Sequence, residues 1–243
     1  GVTEFLPVSS SGHLVLAREW MGITEPAVEF AVLVHAGSLV AILAFFWKDI
    51  LSLFTTRRRL IPWLIVGSIP AAVVYALLKD AVEASFERPL VVGFCLLVTG
   101  GVLLVSERLA TDRRPLAGVG WLDALLIGLA QAAALLPGIS RSGMTIGSGL
   151  ARGLERRAAV TFAFLLGAVA IGGAMVLKAR DFGSLAAVGG YGPAVAGFVA
   201  SAAVSLLSLV LLTYIVRRKC LGYFAIYCFL VGGGVILAKL IGV

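Results

Sequence analysis

The sequence predicts an all-α polytopic membrane protein with six transmembrane helices and two shorter re-entrant helical hairpins. Of its 243 residues, 60% are hydrophobic and only 14% are charged, and the mean hydropathy is +1.05. A globular chain normally carries about 25% charged residues, so the composition indicates a bilayer rather than water as the solvent. The net charge of +7 does not indicate nucleic-acid binding, because the basic residues form short clusters between apolar segments.

Six apolar segments are long enough to cross a bilayer, which takes roughly 17–25 residues. They are expected near residues 28–47, 60–79, 89–107, 158–177, 191–216 and 221–242. Two further apolar regions, residues 4–16 and 121–150, are each interrupted by a proline and small polar residues. Broken helices at membrane depth are tolerated only where they are buried in protein or line a wet cavity. We therefore predict that both regions are re-entrant hairpins, with tips around Pro7 and Pro137.

The two tips resemble each other and predict an internal repeat. Residues 5–12 read FLPVSSSG and residues 135–143 read LLPGISRSG, with one residue inserted after the proline. A single integral membrane domain, 1–243, is therefore expected to contain repeat one over 1–110 and repeat two over 119–243. Each repeat has one hairpin and three spans. Because three is odd, the second repeat is expected to be inverted, with the two tips meeting near the membrane midplane.

Basic residues in the loops predict the orientation. If successive spans cross the membrane in alternating directions, twelve basic residues lie on one face and six on the other. The face with more basic residues is then predicted to be cytoplasmic, and both ends of the chain are predicted to lie on the outer face. The first face holds Lys48, Arg57, Arg58, Arg59, Arg108, Arg113, Arg114, Arg156, Arg157, Arg217, Arg218 and Lys219, and the second holds Arg18, Lys79, Arg88, Lys178, Arg180 and Lys239.

Polar residues at the tips mark the candidate site, because polar groups at membrane depth are costly. Ser9 or Ser10 can share a helix face with His13, at spacings of four and three residues, and a hydroxyl beside an imidazole is the basic unit of an activated nucleophile. The serines could equally cap half-helices, and both His13 and His35 could be packing residues. The first tip contains Glu4, Ser9, Ser10, Ser11 and His13, and the second contains Ser140, Arg141, Ser142, Gly143 and Thr145.

Arg141 is the most informative of these residues. A guanidinium at the membrane centre costs at least ~2.5–3.5 kcal/mol, so it is expected to face an anion. A half-helix begins directly after it, and the unpaired N–H groups and positive dipole end of such a helix bind phosphate. The guanidinium adds a bidentate fork suited to phosphate oxygens. Glu4 could instead neutralise Arg141 as a structural pair.

At these two motifs the sequence resembles the undecaprenyl pyrophosphate phosphatase family, which is associated with bacitracin resistance. The resemblance is carried by residues 4–14, EFLPVSSSGHL, and 136–145, LPGISRSGMT, and it extends over essentially the whole chain. It implies a multi-pass enzyme of the bacterial inner membrane that converts the C55 diphosphate lipid to the monophosphate. That product is reused in peptidoglycan synthesis, so the resemblance also implies roles in cell-wall biogenesis and cell shape. Bacitracin would compete for the lipid substrate and not for the protein.

The resemblance also implies roles for individual residues. Ser10 corresponds to the family's proposed nucleophile, His13 to its catalytic histidine, and Arg141 to its essential arginine. Glu4 corresponds to an essential acidic residue and would hold a divalent cation, Mg²⁺ or Ca²⁺, with a second acidic or amide residue expected immediately before Gly1. Half of the first hairpin is therefore expected to precede Gly1. Substrate phosphate is expected to contact Ser9, Ser11, Ser140, Ser142, Gly143 and Thr145.

Two functions remain open at this stage. Inverted repeats with broken helices at the midplane are typical of secondary transporters, so the alternative to a phosphatase is a transporter or flippase for a polyprenyl phosphate or another anionic lipid. The Ser-x-x-His pair and the acidic residue favour the enzyme, because transport needs no nucleophile. The residues do not distinguish attack by Ser10 from attack by a water that His13 activates. The abundant glycines permit close helix contacts, which leaves a homodimer open.

Overall fold

Apolar segments fold as helices in lipid, because each backbone N–H and C=O must find its partner within the segment. The structure is a computed structural model that describes residues 1–22, 28–178 and 190–241. Within that part of the chain it is helical apart from short connections. The helices are α1 (Val2–Phe5), α2 (Ser10–Met21), α3 (Val28–Phe45), α4 (Trp47–Phe54), α5 (Leu60–Ser85), α6 (Pro89–Leu109), α7 (Trp121–Ala133), α8 (Arg141–Ala151), α9 (Arg156–Lys178), α10 (Tyr191–Arg217) and α11 (Gly222–Leu240).

Five of these helices, α5, α6, α9, α10 and α11, are long and apolar enough to cross a membrane. The pair α3 and α4 makes a sixth candidate if it is counted as one span with a bend of 71°. The predicted all-helical class is therefore confirmed for the described residues. Five of the six predicted spans correspond to such a helix, and the first corresponds only to the bent pair. Their apolar side chains face outward in large numbers, as a lipid-facing surface requires; Leu77, Leu207 and Leu230 are examples.

Two span boundaries differ from the prediction. The first span was expected to run to residue 47, but Phe46 leaves the helical conformation (φ −99°, ψ 19°) and separates α3 from α4. The second was expected to end at residue 79, but α5 continues to Ser85 across a kink at Leu78. Neither position is marked by a proline or glycine, which are the usual sequence signals for a break.

Each predicted interruption is a break between two helices. The first break, residues 6–9, separates α1 from α2, and the second break, residues 134–140, separates α7 from α8. Each contains one proline, Pro7 or Pro137, which cannot continue the preceding helix without losing a hydrogen bond. Of the predicted loop charges, Arg180 and the side chain of Lys178 lie outside the described residues.

The core joins the two halves of the chain around aromatic side chains. Phe5 of α1 packs edge-to-face on Phe164 of α9, with ring centroids 5.3 Å apart. Phe164 in turn stacks on Phe46 at 5.6 Å. All three are buried, so α1 and the end of α3 are held against the middle of α9.

A buried carboxylate ties the loop before α7 to the end of α8. Asp123 accepts hydrogen bonds from both terminal nitrogens of Arg114, at 3.0 and 2.6 Å, from Arg152 Nε at 2.8 Å, and from the Gly120 N–H at 3.0 Å. Burial alone would raise the pKa of Asp123, but the hydrogen bonds from Arg114 and Arg152 outweigh it and lower that pKa to about 2. This network lies at the end of α7 remote from the second break.

Candidate active site

The hydroxyl of Ser9 joins the two breaks. Its Oγ accepts the N–H of Gly12 at 3.3 Å, which caps the start of α2, and the N–H of Gly138 in the second break at 3.1 Å. The backbone of Ser9 has φ +66°, in the left-handed region that few non-glycine residues adopt. Such a conformation costs about 1–3 kcal/mol and persists only where the surroundings enforce it. The two breaks therefore fix each other's position.

Glycines let the breaks touch, and a third helix holds them. A Cβ on Gly12 would lie 2.9 Å from the Cα of Gly138, and Gly138 itself has φ +98°. Thr99 of α6 donates its hydroxyl to the Gly138 carbonyl at 2.9 Å and accepts the Ser140 N–H at 3.0 Å. No sequence motif around Thr99 marked it as a site residue, because its role depends on the packing of α6 against the second break.

Glu4 lies between the two breaks and links them through charge. Arg141 Nη2 donates to Glu4 Oε1 at 2.5 Å, and Ser10 Oγ donates to Glu4 Oε2, also at 2.5 Å. The Nε2 atom of His35 is 3.9 Å from Glu4 Oε2. The side chain of Glu4 is only 10% exposed, so this pairing compensates the cost of placing Arg141 between apolar helices. The Glu4–Arg141 pair, which the sequence analysis gave as an alternative, is thus formed, and Ser10 belongs to the same cluster.

A cavity of about 280 Å³ opens beside this cluster. Helices α2 and α8 both begin at it, so the positive ends of two helix dipoles favour an anion there. Its apolar walls come mainly from α9 and the second break, with Val32 of α3 and Ala71 of α5. Its polar lining consists of Thr3, Glu4, Ser9, Ser10, Ser11, His35, Gln131, Ser140 and Arg141.

His13 does not contact the Ser10 hydroxyl in this arrangement. Its Nδ1 lies 2.7 Å from the Ser9 carbonyl oxygen, which can only accept, so Nδ1 carries the proton. Its Nε2 lies 2.6 Å from the Tyr227 hydroxyl and in a neutral imidazole accepts from it. The rings of His13 and Tyr227 are stacked with centroids 5.6 Å apart. The catalytic role of His13 stays a prediction, and the proton of Ser10 points to Glu4 instead.

Apart from Ser140, which also lines the cavity, the remaining predicted residues of the second tip lie behind the cavity wall. Ser140 caps α8 by accepting the Gly143 N–H at 3.2 Å, and the Thr145 hydroxyl donates to the Arg141 carbonyl at 2.8 Å. Ser142 and Thr145 line a much smaller space of about 10 Å³ on the other side of Arg141. Ser142, Gly143 and Thr145 therefore shape the start of α8 and do not line the main cavity.

Gln131 of α7 is a buried cavity residue that the sequence analysis missed. It is 3% exposed, and neither its Oε1 nor its Nε2 has a hydrogen-bond partner among the described residues. Leaving a buried amide unpaired costs about 1–3 kcal/mol per group, so a polar ligand group is its expected partner. The available signal was a lone amide in the otherwise apolar segment 124–136, six residues before Pro137.

Glu4 is the residue of the cavity that fits a divalent cation. The described part of the chain contains no group of three or more His, Cys, Asp or Glu that could hold a metal. Mg²⁺, however, usually keeps several waters and is bound by one or two carboxylates together with substrate phosphates. A single carboxylate beside an anion-binding cavity fits that kind of site, which is completed by the substrate.

Known proteins similar to this chain share one activity. The chain matches the family described as bacitracin resistance protein BacA over residues 1–234. It is 40% identical to an undecaprenyl-diphosphatase of Methanosphaera stadtmanae, over 96% of this chain and 91% of that relative. It is also 40% identical to an undecaprenyl-diphosphatase of Desulforudis audaxviator, over 99% and 94% respectively. For an undecaprenyl-diphosphatase of Desulforapulum autotrophicum the identity is 39%, over 96% and 92%.

Proposed function

The chain belongs to the bacitracin resistance protein BacA family, and we infer that its activity is carried out in the cavity between the two helix breaks. It is a multi-pass membrane phosphatase that hydrolyses undecaprenyl diphosphate to undecaprenyl phosphate and phosphate. The observation that carries the assignment of the site is the hydrogen-bonded series Arg141–Glu4–Ser10 at the cavity wall.

Arg141 is proposed to hold the terminal phosphate. Phosphoryl transfer depends mainly on charge neutralisation and in-line positioning. One guanidinium nitrogen is used by Glu4, and the other donors of the fork are available to phosphate oxygens. The first turns of α2 and α8 add N–H groups and dipole charge at the same place. The unpaired amide of Gln131 supplies a further donor.

Ser10 is proposed to attack the terminal phosphorus. As its oxygen bonds to phosphorus, the bond from phosphorus to the bridging oxygen breaks, and undecaprenyl phosphate leaves with the electron pair. The hydroxyl proton passes to Glu4, which already accepts it in a hydrogen bond of 2.5 Å. Water then attacks the phosphoserine, and phosphate and free Ser10 are released. Direct attack by a water that gives its proton to Glu4 uses the same contacts.

His13 is proposed to act as a positioning residue. Its Nδ1–H donates to the Ser9 carbonyl while Tyr227 holds its other nitrogen. Through Ser9 it supports the strained turn that presents Ser10 to the cavity. This assignment differs from the role of catalytic histidine that the family resemblance implies.

A divalent cation, Mg²⁺ or Ca²⁺, is proposed to be held by Glu4. When bound, it neutralises charge on the oxygens of the diphosphate. The carboxylate is suited to this because each of its oxygens has one protein donor and retains further acceptor capacity.

The two breaks are proposed to be the tips of re-entrant hairpins in an inverted repeat. Supporting this, each break contains a proline and is followed by a helix capped by a serine, Ser9 or Ser140. On α9 the cavity is lined by residues 170, 171, 174 and 175, far from the arginine-rich start of that helix. With the arginine-rich loops in the cytoplasm, the cavity would open toward the outer face and both ends of the chain would lie there.

The test is phosphate release from undecaprenyl or farnesyl diphosphate by the purified protein in detergent, with Mg²⁺ and then with a chelator. We expect release that requires the cation and falls at least about 100-fold in Ser10→Ala. Ser68→Ala is the matched control, because within the described part of the chain that hydroxyl bonds only to the Leu64 carbonyl of its own helix.

Acid quenching with a substrate labelled in its terminal phosphate separates the two routes of attack. Labelled protein supports attack by Ser10. A Ser10→Ala protein within tenfold of normal turnover would contradict attack by Ser10 and favour attack by water. No release from folded, cation-loaded protein would instead favour a lipid transporter.

A further inference from the structure

A second cavity, of about 340 Å³, lies at the opposite end of α3 and α9 from the catalytic cavity. The catalytic cavity touches the start of α3 and the end of α9, whereas this one touches the end of α3 and the start of α9. The bend between α3 and α4 and the end of α10 complete its walls. We call it the basic recess, and its polar lining is Lys48, Asp49, Arg157, Thr161, Thr213 and Arg217.

The recess carries uncompensated positive charge. Lys48, Arg157 and Arg217 are exposed, and none of them has an acidic partner in the described part of the chain. Asp49 is the one acidic residue in the lining, and it is paired with Arg57 at 2.5 Å. Three cations facing one cavity attract an anion and repel one another without it.

Hydroxyl groups lie beside these cations. Thr213 Oγ1 is buried and has no hydrogen-bond partner among the described residues, although a helical threonine commonly bonds to the carbonyl four residues earlier. Thr161 of α9, only 3% exposed, lines the same cavity. Neutral hydroxyl donors together with guanidinium and ammonium groups are suited to phosphate oxygens.

The rim of the recess is suited to lipid. Helix α4 is bent by 71° from α3 and exposes Trp47, Leu51 and Phe54. Amphipathic helices with tryptophan and charged residues lie in the plane of the membrane interface. Phe45 and Phe46 add an apolar wall next to Lys48. A ligand here meets cations at headgroup level and apolar surface beside them.

We propose that the basic recess binds the phosphate of an anionic phospholipid. Basic pockets between transmembrane helices are where such head groups bind on the cytoplasmic side. The apolar rim favours a phospholipid over free phosphate. The recess is separate from the catalytic cavity, because Ile42, Phe46 and Phe164 are buried between them. Binding there fixes the angle between α3 and α4 and does not take part in hydrolysis.

The experiment uses the full chain with Trp47 as its single tryptophan, obtained by Trp20→Phe, Trp63→Phe and Trp121→Phe. The protein is placed in nanodiscs of two kinds. One contains brominated phosphatidylglycerol and plain phosphatidylcholine, and the other contains plain phosphatidylglycerol and brominated phosphatidylcholine, with the brominated lipid at the same mole fraction in both. We expect brominated phosphatidylglycerol to quench Trp47 fluorescence more strongly. Replacing Lys48, Arg157 and Arg217 by Gln together should remove the preference, and each single change should lower it about fivefold.

Arg59→Gln is the matched control, because Arg59 is exposed at the same end and does not line the recess. It should keep the preference, and phosphate release by all variants should stay within about twofold of the parent. Equal quenching by the two lipids overturns the proposal. Equal loss in Arg59→Gln also overturns it, since that result indicates general surface charge. If inorganic phosphate removes the preference for phosphatidylglycerol and chloride of equal ionic strength does not, the assignment to a lipid is overturned and a free-phosphate site is indicated.

Discussion

Two clusters in this protein pair arginine with a buried carboxylate, and they differ in how completely the carboxylate is satisfied. Asp123 has two donors at each oxygen, from Arg114, Arg152 and the Gly120 N–H. Among the described residues, Glu4 has one donor at each oxygen, from Arg141 and from Ser10. A cavity of about 280 Å³ adjoins Glu4, whereas Asp123 lines none of the cavities described above.

The difference separates a structural network from a reactive one. A carboxylate whose acceptor positions are all used stabilises the loop around it and has no capacity left for a ligand. A carboxylate that accepts one of its hydrogen bonds from a hydroxyl and faces a cavity can still take a proton or a cation. We therefore expect changes at Asp123 to affect the free energy of unfolding and changes at Glu4 to affect turnover.

Glu4→Gln should have the largest effect. The amide keeps the shape of the side chain but accepts protons far less readily and carries no charge for a cation. We expect turnover of the isoprenyl diphosphate to fall about 100- to 10,000-fold, measured as phosphate release in detergent. Glu19→Gln is the matched control, because Glu19 is paired with Lys239 at 2.7 Å outside the cavity. A Glu4→Gln protein as active as Glu19→Gln would remove Glu4 from the chemistry.

Acid should destabilise the protein through Asp123. Its pKa is lowered from 3.8 to about 2 in the folded chain, so its contribution is complete above about pH 4 and is lost as the pH falls toward 2. The shift corresponds to about 2 kcal/mol of unfolding free energy. Thermal unfolding at pH 7 and pH 3 should show a smaller pH effect in Asp123→Asn than in the parent. Identical pH dependence in the two proteins would contradict the assignment.

Gln131→Leu should separate stability from substrate binding. Leucine removes two unpaired buried polar atoms and the donor that we assign to the substrate. We expect the variant to be more stable by about 1 kcal/mol and its KM to rise about tenfold. Thermal unfolding and steady-state kinetics measure the two quantities. Reduced stability with unchanged KM would indicate that Gln131 has a partner within the protein.

His13→Asn tests whether histidine belongs to the reactive cluster. Asparagine can place an N–H near the Nδ1 position and keep the bond to the Ser9 carbonyl, whereas His13→Ala cannot. If His13 positions the turn, the asparagine variant should be about tenfold more active than the alanine variant, with the pH profile of turnover unchanged in shape. Equal loss in both, with a titration limb missing from the pH profile, would restore the general-base role.

Much of the architecture could be predicted because apolar length and proline positions report directly on helices in lipid. The spans, both breaks, and the meeting of Glu4 with Arg141 follow from those signals. The partner of Ser10 could not be predicted, since its position on the first turn of α2 allowed either His13 or Glu4 and only the packed side chains decide between them. Thr99 and Gln131 were missed because each belongs to the site through the packing of its helix against another.

The most direct test of the comparison is a pair of charge-conserving variants, Arg141→Lys and Arg114→Lys, measured together for turnover and thermal unfolding. Lysine keeps the positive charge but loses the planar fork. We expect Arg141→Lys to lose at least about 100-fold in turnover with little change in unfolding temperature. Arg114→Lys should keep normal turnover and unfold at a lower temperature. Near-normal turnover in a folded Arg141→Lys protein would contradict the assignment of the cavity as the active site.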